Sequence, residues 1–251
     1  MTLIKAENIS KIVRKASSEI CILNEISLEI EKGSFTVIMG TSGAGKSTLL
    51  YALSCTDRIS GGKLYLGDKE ISSASEKKLS QIRSENFGFV FQDSNLISNL
   101  TLEENVKVAG FLNKKRNEKE VSENVQKLFE KMNLTSAKDK FPNQTSGGEN
   151  QRCAIARSVI NEPEIIFADE PTGALNRTNS DEVMKLFMEL NEGGQTILMV
   201  THDLRTACHG EKIIYLEDGK IAGTMELGKY EASKEKERES ILGKWLQEKG
   251  W

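Results

Sequence analysis

Short apolar runs alternate with helical patterns along most of this chain. Phe35–Met39 is a run of aromatic and β-branched residues that stops abruptly at Gly40, and Ser47–Leu53 follows it with the character of a helix. Such alternation is typical of a mostly parallel α/β sheet with helices packed on its faces. Four more strands are predicted, at Phe87–Phe91, Ile165–Ala168, Thr196–Val200 and Lys212–Leu216.

Two later segments have the pattern of helices. Arg177–Leu190 carries apolar residues at i, i+4 and i+7, which predicts an amphipathic helix on one side of the sheet. Residues 94 to about 160 contain few β-branched runs and much Glu- and Lys-rich helical pattern, most clearly at Glu118–Met132. This change of composition predicts a helical subdomain that is inserted between two halves of an α/β core.

The last 23 residues, 229–251, include 11 charged ones. Even so, Ile241, Leu242, Trp245 and Leu246 recur at helical spacing and are predicted to share one face. The segment is therefore predicted to be a C-terminal amphipathic helix that docks on its own domain. A tail that binds a partner is the alternative.

Charge and hydropathy exclude several classes of protein. The 251 residues hold 34 Lys and Arg against 37 Asp and Glu, so a net charge of −3 does not indicate a nucleic-acid-binding protein. The longest uninterrupted apolar run, Leu49–Leu53, is far shorter than the roughly 20 residues of a membrane helix. No leader of basic and then apolar residues opens the chain. Four scattered cysteines lack metal-ligand spacing, so we expect reduced thiols in a soluble intracellular protein.

Gly40–Ser47 is the first segment that indicates a chemistry. It fits the pattern G-x-x-x-x-G-K-[ST], directly after a predicted strand and at the start of a predicted helix. Its glycines let successive backbone N–H groups converge on phosphate oxygens, while Lys46 can reach the β- and γ-phosphates and the Ser47 hydroxyl can ligate Mg²⁺. Chance would give such a pattern in roughly one chain in a hundred of this length. The predicted phosphate-binding residues are Gly40, Thr41, Ser42, Gly43, Ala44, Gly45, Lys46, Ser47 and Thr48.

Ile165–Glu170 is an apolar strand that ends in two acids. A Mg²⁺ site needs a carboxylate at the end of a strand beside the phosphate loop, and Asp169 has that place in the sequence. Glu170 comes next and could polarise an attacking water as a general base. Many buried strands end in an acid, so this prediction depends on the phosphate loop.

Ser146–Glu149 is the third signal. Ser followed three residues later by Glu forms a capping box, and Asn150–Arg157 continues as a good helix, so the plain interpretation is a helix start. The two glycines between them, Gly147 and Gly148, would also make a second anion-binding surface at that helix N-terminus. If the surface lies far from the phosphate loop, it would serve the nucleotide of a neighbouring subunit in a two-fold dimer.

Together these segments resemble the nucleotide-binding subunit of an ABC transporter, to about residue 225. Gly40–Ser47 is similar to the Walker A motif and Ile165–Glu170 to the Walker B motif, in the family order. Thr145–Glu149 is similar to the signature motif and Gln92 to the glutamine of the Q-loop. Gly173–Asn176 is similar to the D-loop, and His202 to the switch histidine. The resemblance implies a P-loop NTPase core with a mostly parallel sheet, an antiparallel N-terminal β subdomain and an inserted helical subdomain. The ABC domain would span residues 1–228.

The resemblance also implies a mechanism. The subunit would bind ATP and Mg²⁺, dimerise head-to-tail around two ATP and hydrolyse them. His202 would contact the γ-phosphate, and Gln92 would sense Mg²⁺ and the attacking water. Without the resemblance, His202 is interpreted as a capping or core histidine at the end of a strand. Gln92 is likewise interpreted as an ordinary polar residue that ends a strand. The implied catalytic residues are Lys46, Gln92, Glu170 and His202, the implied metal residues are Ser47, Gln92 and Asp169, and Ser146, Gly147, Gly148 and Glu149 would hold the partner's ATP.

Four positions depart from the family pattern. Thr145 replaces a Leu of the signature, and Glu149 replaces a Gln but keeps the capping box. Asn176 replaces the Asp of the D-loop, which removes a charge from the implied dimer interface. Val13 stands where the family stacks an aromatic ring on adenine, so we expect the base to be contacted there with weakened discrimination.

Within the family, Ala168–Gly173 and Gly88–Leu96 resemble the branch of lipoprotein release, macrolide export and bacitracin-type peptide resistance. The D-loop and the Trp-ending tail are most similar to the peptide-resistance members. That resemblance implies a permease partner, coupling to a sensor kinase, and a place on the cytoplasmic face of the membrane. A lipoprotein-release ATPase, or a regulatory ATPase that binds a membrane protein without transport, as in cell-division control, is the alternative.

Other function classes fit the chain less well. About 120 residues separate Lys46 from Asp169, too few for the long coiled coils of a chromosome-maintenance ATPase. A translation-associated ABC protein would carry two phosphate loops, and the sequence has one. A small-molecule kinase would explain the phosphate loop but not Ser146–Glu149.

Overall fold

The computed structural model describes residues 1–15, 18–112 and 116–251. A six-stranded sheet in the order β10-β9-β3-β8-β7-β6 forms its centre, and only β10 runs antiparallel to its neighbour. All five predicted strands are confirmed, and the central ones are buried along their whole length because helices or the second sheet cover both faces. The strands are β3 (Phe35–Gly40), β6 (Phe87–Phe91), β7 (Ile165–Asp169), β8 (Thr196–Val200), β9 (Lys212–Glu217) and β10 (Lys220–Glu226).

The parallel strands end at one edge of this sheet. Phe91 pairs with Asp169, and Asp169 pairs with Val200, so β6, β7 and β8 stop side by side. Strand β3 lies next to β8 and ends at Gly40. The residues that follow these four strands therefore meet at the carboxyl edge, where open α/β sheets bind ligands.

A second, antiparallel sheet has the order β2-β1-β4-β5, as the family resemblance implied. Its strands are β1 (Thr2–Lys15), β2 (Ser18–Glu31), β4 (Gly61–Leu66) and β5 (Lys69–Glu70). A core of aliphatic residues from this sheet and helix α1 (Lys46–Leu53) fills the space above the central sheet. Gly219, in the β9–β10 turn, touches β2 so closely that a Cβ there would lie 2.3 Å from the Ile22 carbonyl oxygen.

Three longer helices lie in the segment for which a helical subdomain was predicted. They are α3 (Leu102–Phe111), α4 (Glu118–Lys131) and α5 (Gly147–Val159), and their inward faces share the second core of the molecule. Both α3 and α4 begin with a complete capping box, at Thr101 and Asn117. The remaining helices are α2 (Glu76–Asn86), α6 (Arg177–Glu192), the short α7 (Leu204–Ala207) and α8 (Glu235–Glu248). The domain limits 1–228 and 229–251 stay predictions.

The C-terminal helix α8 packs on the body of the chain. Leu242 and Leu246 are fully buried in the core below the central sheet, and the Trp245 ring meets Tyr215 edge-on with 6.3 Å between centroids. Ile241, by contrast, is 45% exposed, so the prediction that it shares the buried face was wrong. The buried stripe follows i, i+3 and i+4 spacing from Leu242, and Ile241 is one residue off it.

No helix among the described residues combines the length and apolar character that crossing a bilayer requires.

Candidate nucleotide-binding site

The loop between β3 and α1 has the backbone of an anion cradle. Gly43 and Gly45 have φ angles of +80° and +96°, which favour glycine. A Cβ on Gly40 would lie 2.1 Å from the Leu216 carbonyl oxygen, so only glycine fits where the loop leaves the sheet. Gly45 caps α1 without any side-chain hydrogen bond, which leaves the first N–H groups of the helix directed at the loop.

Lys46 closes this loop from the inside. Its Nζ donates to the carbonyl oxygens of Gly40 at 3.0 Å and Thr41 at 2.9 Å. Both acceptors are neutral, so the ammonium charge is held in place without being neutralised. An incoming phosphate oxygen can therefore replace a carbonyl with a gain in electrostatic energy.

Asp169, at the end of β7, is bound by two hydroxyl groups of helix α1. Ser47 Oγ donates to its Oδ1 at 3.0 Å, and Tyr51 Oη donates to its Oδ2 at 2.9 Å. Asp169 is only 9% exposed, so both oxygens are fixed in a buried place. Burial, followed by the hydrogen bond to Asp169, raises the pKa of Tyr51 to about 12, so the phenol stays a donor.

Sequence reasoning missed Tyr51. The signal was present, because Tyr51 follows Ser47 by four positions on a predicted helix and must share its face. The adjacent Ser47 Oγ and Asp169 Oδ1 are hard oxygen donors of the kind that Mg²⁺ prefers, and this donor set fits a magnesium ion.

Glu170 and His202 meet across the same edge. Glu170 leaves β7 with φ +49°, in the left-handed region, while its N–H bonds to the Val200 carbonyl at 2.9 Å. Its carboxylate oxygen Oε1 lies 2.9 Å from His202 Nδ1. The Glu170 side chain is 15% exposed and the His202 side chain 68%, so the histidine ring faces solvent from a fixed attachment. An outlier backbone that aims a carboxylate at an open site is typical of functional residues.

Gln92 is brought to the same place from β6. It follows Phe91 directly, and its side-chain amide lies 3.3 Å from the position that a Cβ on Gly173 would take. Because Phe91 and Asp169 are register partners, Gln92 and Glu170 leave neighbouring strands side by side. The structure thus collects Lys46, Ser47, Gln92, Asp169, Glu170 and His202 at one sheet edge.

Ser146–Glu149 forms the start of helix α5. Glu149 Oε2 accepts from the Ser146 N–H at 2.7 Å and from its hydroxyl at 2.9 Å, and the Glu149 N–H donates back to Ser146 Oγ at 3.2 Å. Donation from the Ser146 N–H lowers the pKa of Glu149 below its ordinary value. Gly148 packs tightly on α6, where a Cβ would lie 2.7 Å from the Asn179 side chain. No hydrogen bond among the described residues joins this segment to the phosphate loop.

Comparison with known proteins decides the family. A family model described as "ABC transporter" matches residues 23–173, more than half of the chain. This chain belongs to the ABC transporter family. As an ABC transporter ATPase it also has named relatives at substantial identity along most of its length.

Two relatives are separate ATP-binding proteins. The lipoprotein-releasing system ATP-binding protein LolD of Aquifex aeolicus is 43% identical over 88% of this chain and 96% of its own. The bacitracin export ATP-binding protein BceA of Halalkalibacterium halodurans is 38% identical over 91% of this chain and 90% of its own. A third, the macrolide export ATP-binding/permease protein MacB of Aggregatibacter actinomycetemcomitans, is 41% identical, and the chain spans 34% of it. All three belong to the branch that the sequence indicated, and they do not single out the bacitracin type.

The fold is shared with solved cassettes. A dimeric, post-hydrolysis structure of MJ0796 bound to ADP and Pi superposes with a TM-score of 0.84 at 36% identity, and covers 91% of this chain and all of that one. The predicted P-loop NTPase fold is confirmed. The chain is an ATP-binding and ATP-hydrolysing subunit of an ABC transporter, as predicted.

Two of the family departures have a local explanation. Asn176 is the N-cap of helix α6 and accepts from the Asn179 N–H at 3.0 Å, a task that Asn performs as well as Asp. The Thr145 hydroxyl donates to Asn150 Oδ1 at 2.7 Å and lies 3.0 Å from the Pro142 carbonyl oxygen, so its polar group is satisfied where the family has Leu. Neither change disturbs the elements that carry the motifs.

Val13 lies on β1 and pairs across the hairpin with Ile20, which is 49% exposed. Register partners on antiparallel strands project from the same face, so the two side chains form an aliphatic surface. Strand β2 passes the phosphate loop two residues later, at Ile22, where a Cβ on Gly45 would lie 3.0 Å from the carbonyl oxygen. The surface near the loop is therefore aliphatic at Val13, where the family has an aromatic ring.

Proposed function

We propose that this ABC subunit hydrolyses ATP·Mg²⁺ as one half of a head-to-tail dimer and thereby drives a membrane permease on the cytoplasmic face of the membrane. The main support comes from the carboxyl edge of the central sheet. There Glu170 Oε1 lies 2.9 Å from His202 Nδ1, beside the hydrogen bond of 3.0 Å from Ser47 to Asp169. A base, its orienting group and a set of metal donors thus lie at the mouth of the phosphate loop.

In this mechanism the loop N–H groups and Lys46 bind the β- and γ-phosphates. Ser47 and Asp169 would hold Mg²⁺, which supplies positive charge to the phosphate oxygens when bound. Gln92 orients a water, and Glu170 accepts its proton as the water oxygen attacks the γ-phosphorus and the bond to the β-phosphate oxygen breaks. His202 orients Glu170 and is placed to contact the γ-phosphate.

The dimer is supported by where the signature lies. Ser146 and Gly147 are exposed at the start of α5, and the hydrogen bonds of the described residues do not tie them to their own phosphate loop. Their N–H groups would meet the ATP of a second copy. The dimeric MJ0796 structures, at 36% and 37% identity, favour this arrangement.

A permease would dock in an apolar groove between β6 and α3. The cavity there measures about 530 Å³ and is lined by Phe87, Phe89, Phe91 and Leu112, and Leu112 is 63% exposed. Three more apolar residues, each within two positions in the sequence of a lining residue, are at least 44% exposed, namely Ile97, Val108 and Phe111. A surface of this kind is typical of an interaction site. The chain spans 34% of the MacB relative, whose name describes a single protein that is both ATP-binding protein and permease.

Within the branch, we propose antimicrobial-peptide resistance or export as the role. Support comes from the D-loop and tail resemblance and from the BceA relative, 38% identical over 91% of the chain. Lipoprotein release is the second candidate, since LolD is 43% identical over 88%. Coupling to a sensor kinase through the permease stays a prediction from the resemblance alone.

Co-purification from the native membrane tests the permease partner. We expect the wild-type chain to carry ATPase activity together with one permease. Leu112→Glu should lose the permease and keep the ATPase activity of the free subunit, whereas Ile241→Glu, at another exposed apolar position, on α8, should keep both. Activity without any attached membrane protein would contradict the proposal.

The role is decided by deleting the gene. Greater sensitivity to bacitracin-like peptides supports peptide resistance. Retention of lipoproteins in the cytoplasmic membrane, with unchanged peptide sensitivity, favours lipoprotein release instead.

A further inference from the structure

Helix α8 is held by a buried arginine as well as by apolar contacts. Arg238 is 6% exposed, and all six hydrogen bonds of its guanidinium go to backbone carbonyls. Nε donates to Cys208 at 2.8 Å and Nη2 to Gly210 at 2.7 Å. Nη1 donates to the carbonyls of residues 227–229 at 2.8 to 3.2 Å. One side chain therefore joins α8 to two other segments.

The first of these segments, residues 208–210, follows His202 after the short helix α7. Asp203, the next residue, caps α7 by accepting from the Thr206 N–H at 2.6 Å, and Cys208 caps the other end of that helix. His202 and Cys208 are thus joined by one capped helical turn. Arg238 fixes the far end of this turn, because its guanidinium donates to the Cys208 and Gly210 carbonyls, which follow the short helix directly.

Other contacts of α8 reach the same short helix. Glu239 Oε1 pairs with Arg205 Nε at 3.6 Å, and Arg205 also pairs with Asp181 of α6 at 3.4 Å. Leu204 lies against Gly243, where a Cβ would be 3.6 Å from the leucine Cδ2. Helix α7 is therefore enclosed between α6 and α8 just after the chain leaves His202 at the carboxyl edge of the sheet.

Residues 208–210 are also held by stacked rings. His209 stacks on Tyr230 with 4.4 Å between centroids, and the Arg238 guanidinium lies 5.6 Å from the centre of the same tyrosine ring. His209 Nδ1 also lies 3.0 Å from the Arg205 carbonyl oxygen. A displacement of α8 would thus move the turn and helix α7 together.

We propose that Arg238 is a positioning residue for His202. By fixing the turn at residues 208–210, it holds α7 and keeps the His202 ring on the Glu170 carboxylate. The inference rests on the role of His202 in the proposed function. It gives the C-terminal helix a part in hydrolysis, in addition to its part in packing.

A double-mutant cycle tests the proposal in the full-length chain. Arg238→Lys keeps a positive charge but cannot span both sets of carbonyls. In the wild-type background it should lower kcat at least about fivefold and leave KM for ATP within about twofold, because the phosphate loop is untouched. In a His202→Ala background the same change should lower kcat by less than about twofold. Arg116→Lys, which disturbs a guanidinium bound to the Ile160 carbonyl and Glu162, is the control and should leave kcat unchanged.

Two results would overturn the inference. One is an equal loss of kcat from Arg238→Lys in both backgrounds, which indicates a merely structural effect. The other is a wild-type kcat for Arg238→Lys. If His202→Ala itself hydrolysed ATP at the wild-type rate, His202 would have no role in hydrolysis. The proposed function of His202 would then be wrong, and so would the inference that depends on it.

A milder variant keeps the test available if Arg238→Lys does not fold. Glu239→Gln removes the ion pair to Arg205 and leaves every carbonyl bond of Arg238 in place. Since the pair is partly exposed, we expect a loss of about two- to threefold in kcat that again disappears in the His202→Ala background. Equal losses in both backgrounds would count against the proposal here too.

Discussion

Two hydroxyl groups of helix α1 share the carboxylate of Asp169. Ser47 takes the oxygen nearest the phosphate loop, and Tyr51 takes the other at 2.9 Å. A carboxylate bound at both oxygens is held in one orientation, so its remaining lone pairs keep a fixed direction toward an incoming cation. Tyr51 would thereby support the proposed Mg²⁺ site without being a metal ligand.

Removing this phenol should weaken metal binding. Tyr51→Phe keeps the ring and loses only the donor, so we expect affinity for Mn²⁺ in the presence of ADP to fall by about tenfold, measured by electron paramagnetic resonance. Tyr65→Phe is the matched control, because Tyr65 bonds weakly to Glu7 at 3.4 Å on the antiparallel sheet. Unchanged Mn²⁺ affinity in Tyr51→Phe would show that Ser47 alone fixes the carboxylate.

We expect Val13 to give the nucleotide base an aliphatic contact. Because the stacking geometry is lost, we expect the wild-type chain to prefer ATP over GTP by less than about a hundredfold in kcat/KM. Val13→Tyr should lower KM for ATP by about fivefold, since an aromatic ring restores a stacking face. Steady-state kinetics with both nucleotides check this. A preference above a hundredfold in the wild-type chain would contradict the first expectation, and an unchanged KM in the variant the second.

Helix α5 illustrates how an element carries a site. Its capping box joins Ser146 and Glu149 at the first turn, so the same bonds that begin the helix also shape the surface that we propose a second subunit contacts. The Glu149 carboxylate accepts from the N–H and the hydroxyl of Ser146, and donation from that N–H lowers its pKa and so favours the charged form.

Replacing this acid separates shape from charge. Glu149→Gln should keep the box, while Glu149→Ala should destabilise the chain by about 1 kcal/mol and weaken ATP-driven dimerisation. A carboxyl group whose pKa is lower in the folded chain than in the unfolded chain stabilises the folded state at pH values above its unfolded pKa. That stabilisation is lost as the pH falls through the folded-state pKa. Wild type should therefore lose its thermal advantage over Glu149→Gln when the pH falls below the ordinary carboxyl pKa. Thermal unfolding at pH 7 and in acid measures this, and a Tm difference that does not change with pH would contradict it.

The elements differ in how far the sequence predicts them. Strands such as β3 and β8 are visible as apolar runs because they are buried on both faces. The long β1–β2 hairpin is not, because register shifts and left-handed residues at Asn8 and Glu25 break its alternation, and only the family resemblance implied it. In the site, Asp169 beside Ser47 follows from the order of strands and loop. The pairing of Glu170 with His202 does not, because it depends on backbone turns after two different strands.

At the scale of the whole molecule, two apolar cores enclose the central sheet. Three of the four cysteines lie in these cores, and burial raises the pKa of Cys55 to about 11 and of Cys153 and Cys208 to about 12. Only the thiolate reacts with alkylating agents, so these thiols are protected by both burial and protonation. Cys21 is exposed.

Alkylation at pH 8 should therefore modify one thiol in each native chain. Mass spectrometry should place the label on Cys21 at once and on the other three only after denaturation. Rapid labelling of Cys208 in the native chain would show that α8 detaches from the body of the molecule in solution.

The two cores pack against the central sheet, and we propose that the carboxyl edge of this sheet hydrolyses ATP between two copies of the chain. Glu170→Gln removes the base and keeps the shape of the site, so it should bind ATP·Mg²⁺ and lower kcat at least about a hundredfold. With the nucleotide trapped, light scattering behind a size-exclusion column should show a particle of twice 27.9 kDa with ATP, and a single chain with ADP. Hydrolysis at the wild-type rate, or a single chain in saturating ATP, would contradict hydrolysis by Glu170 between two copies of the chain.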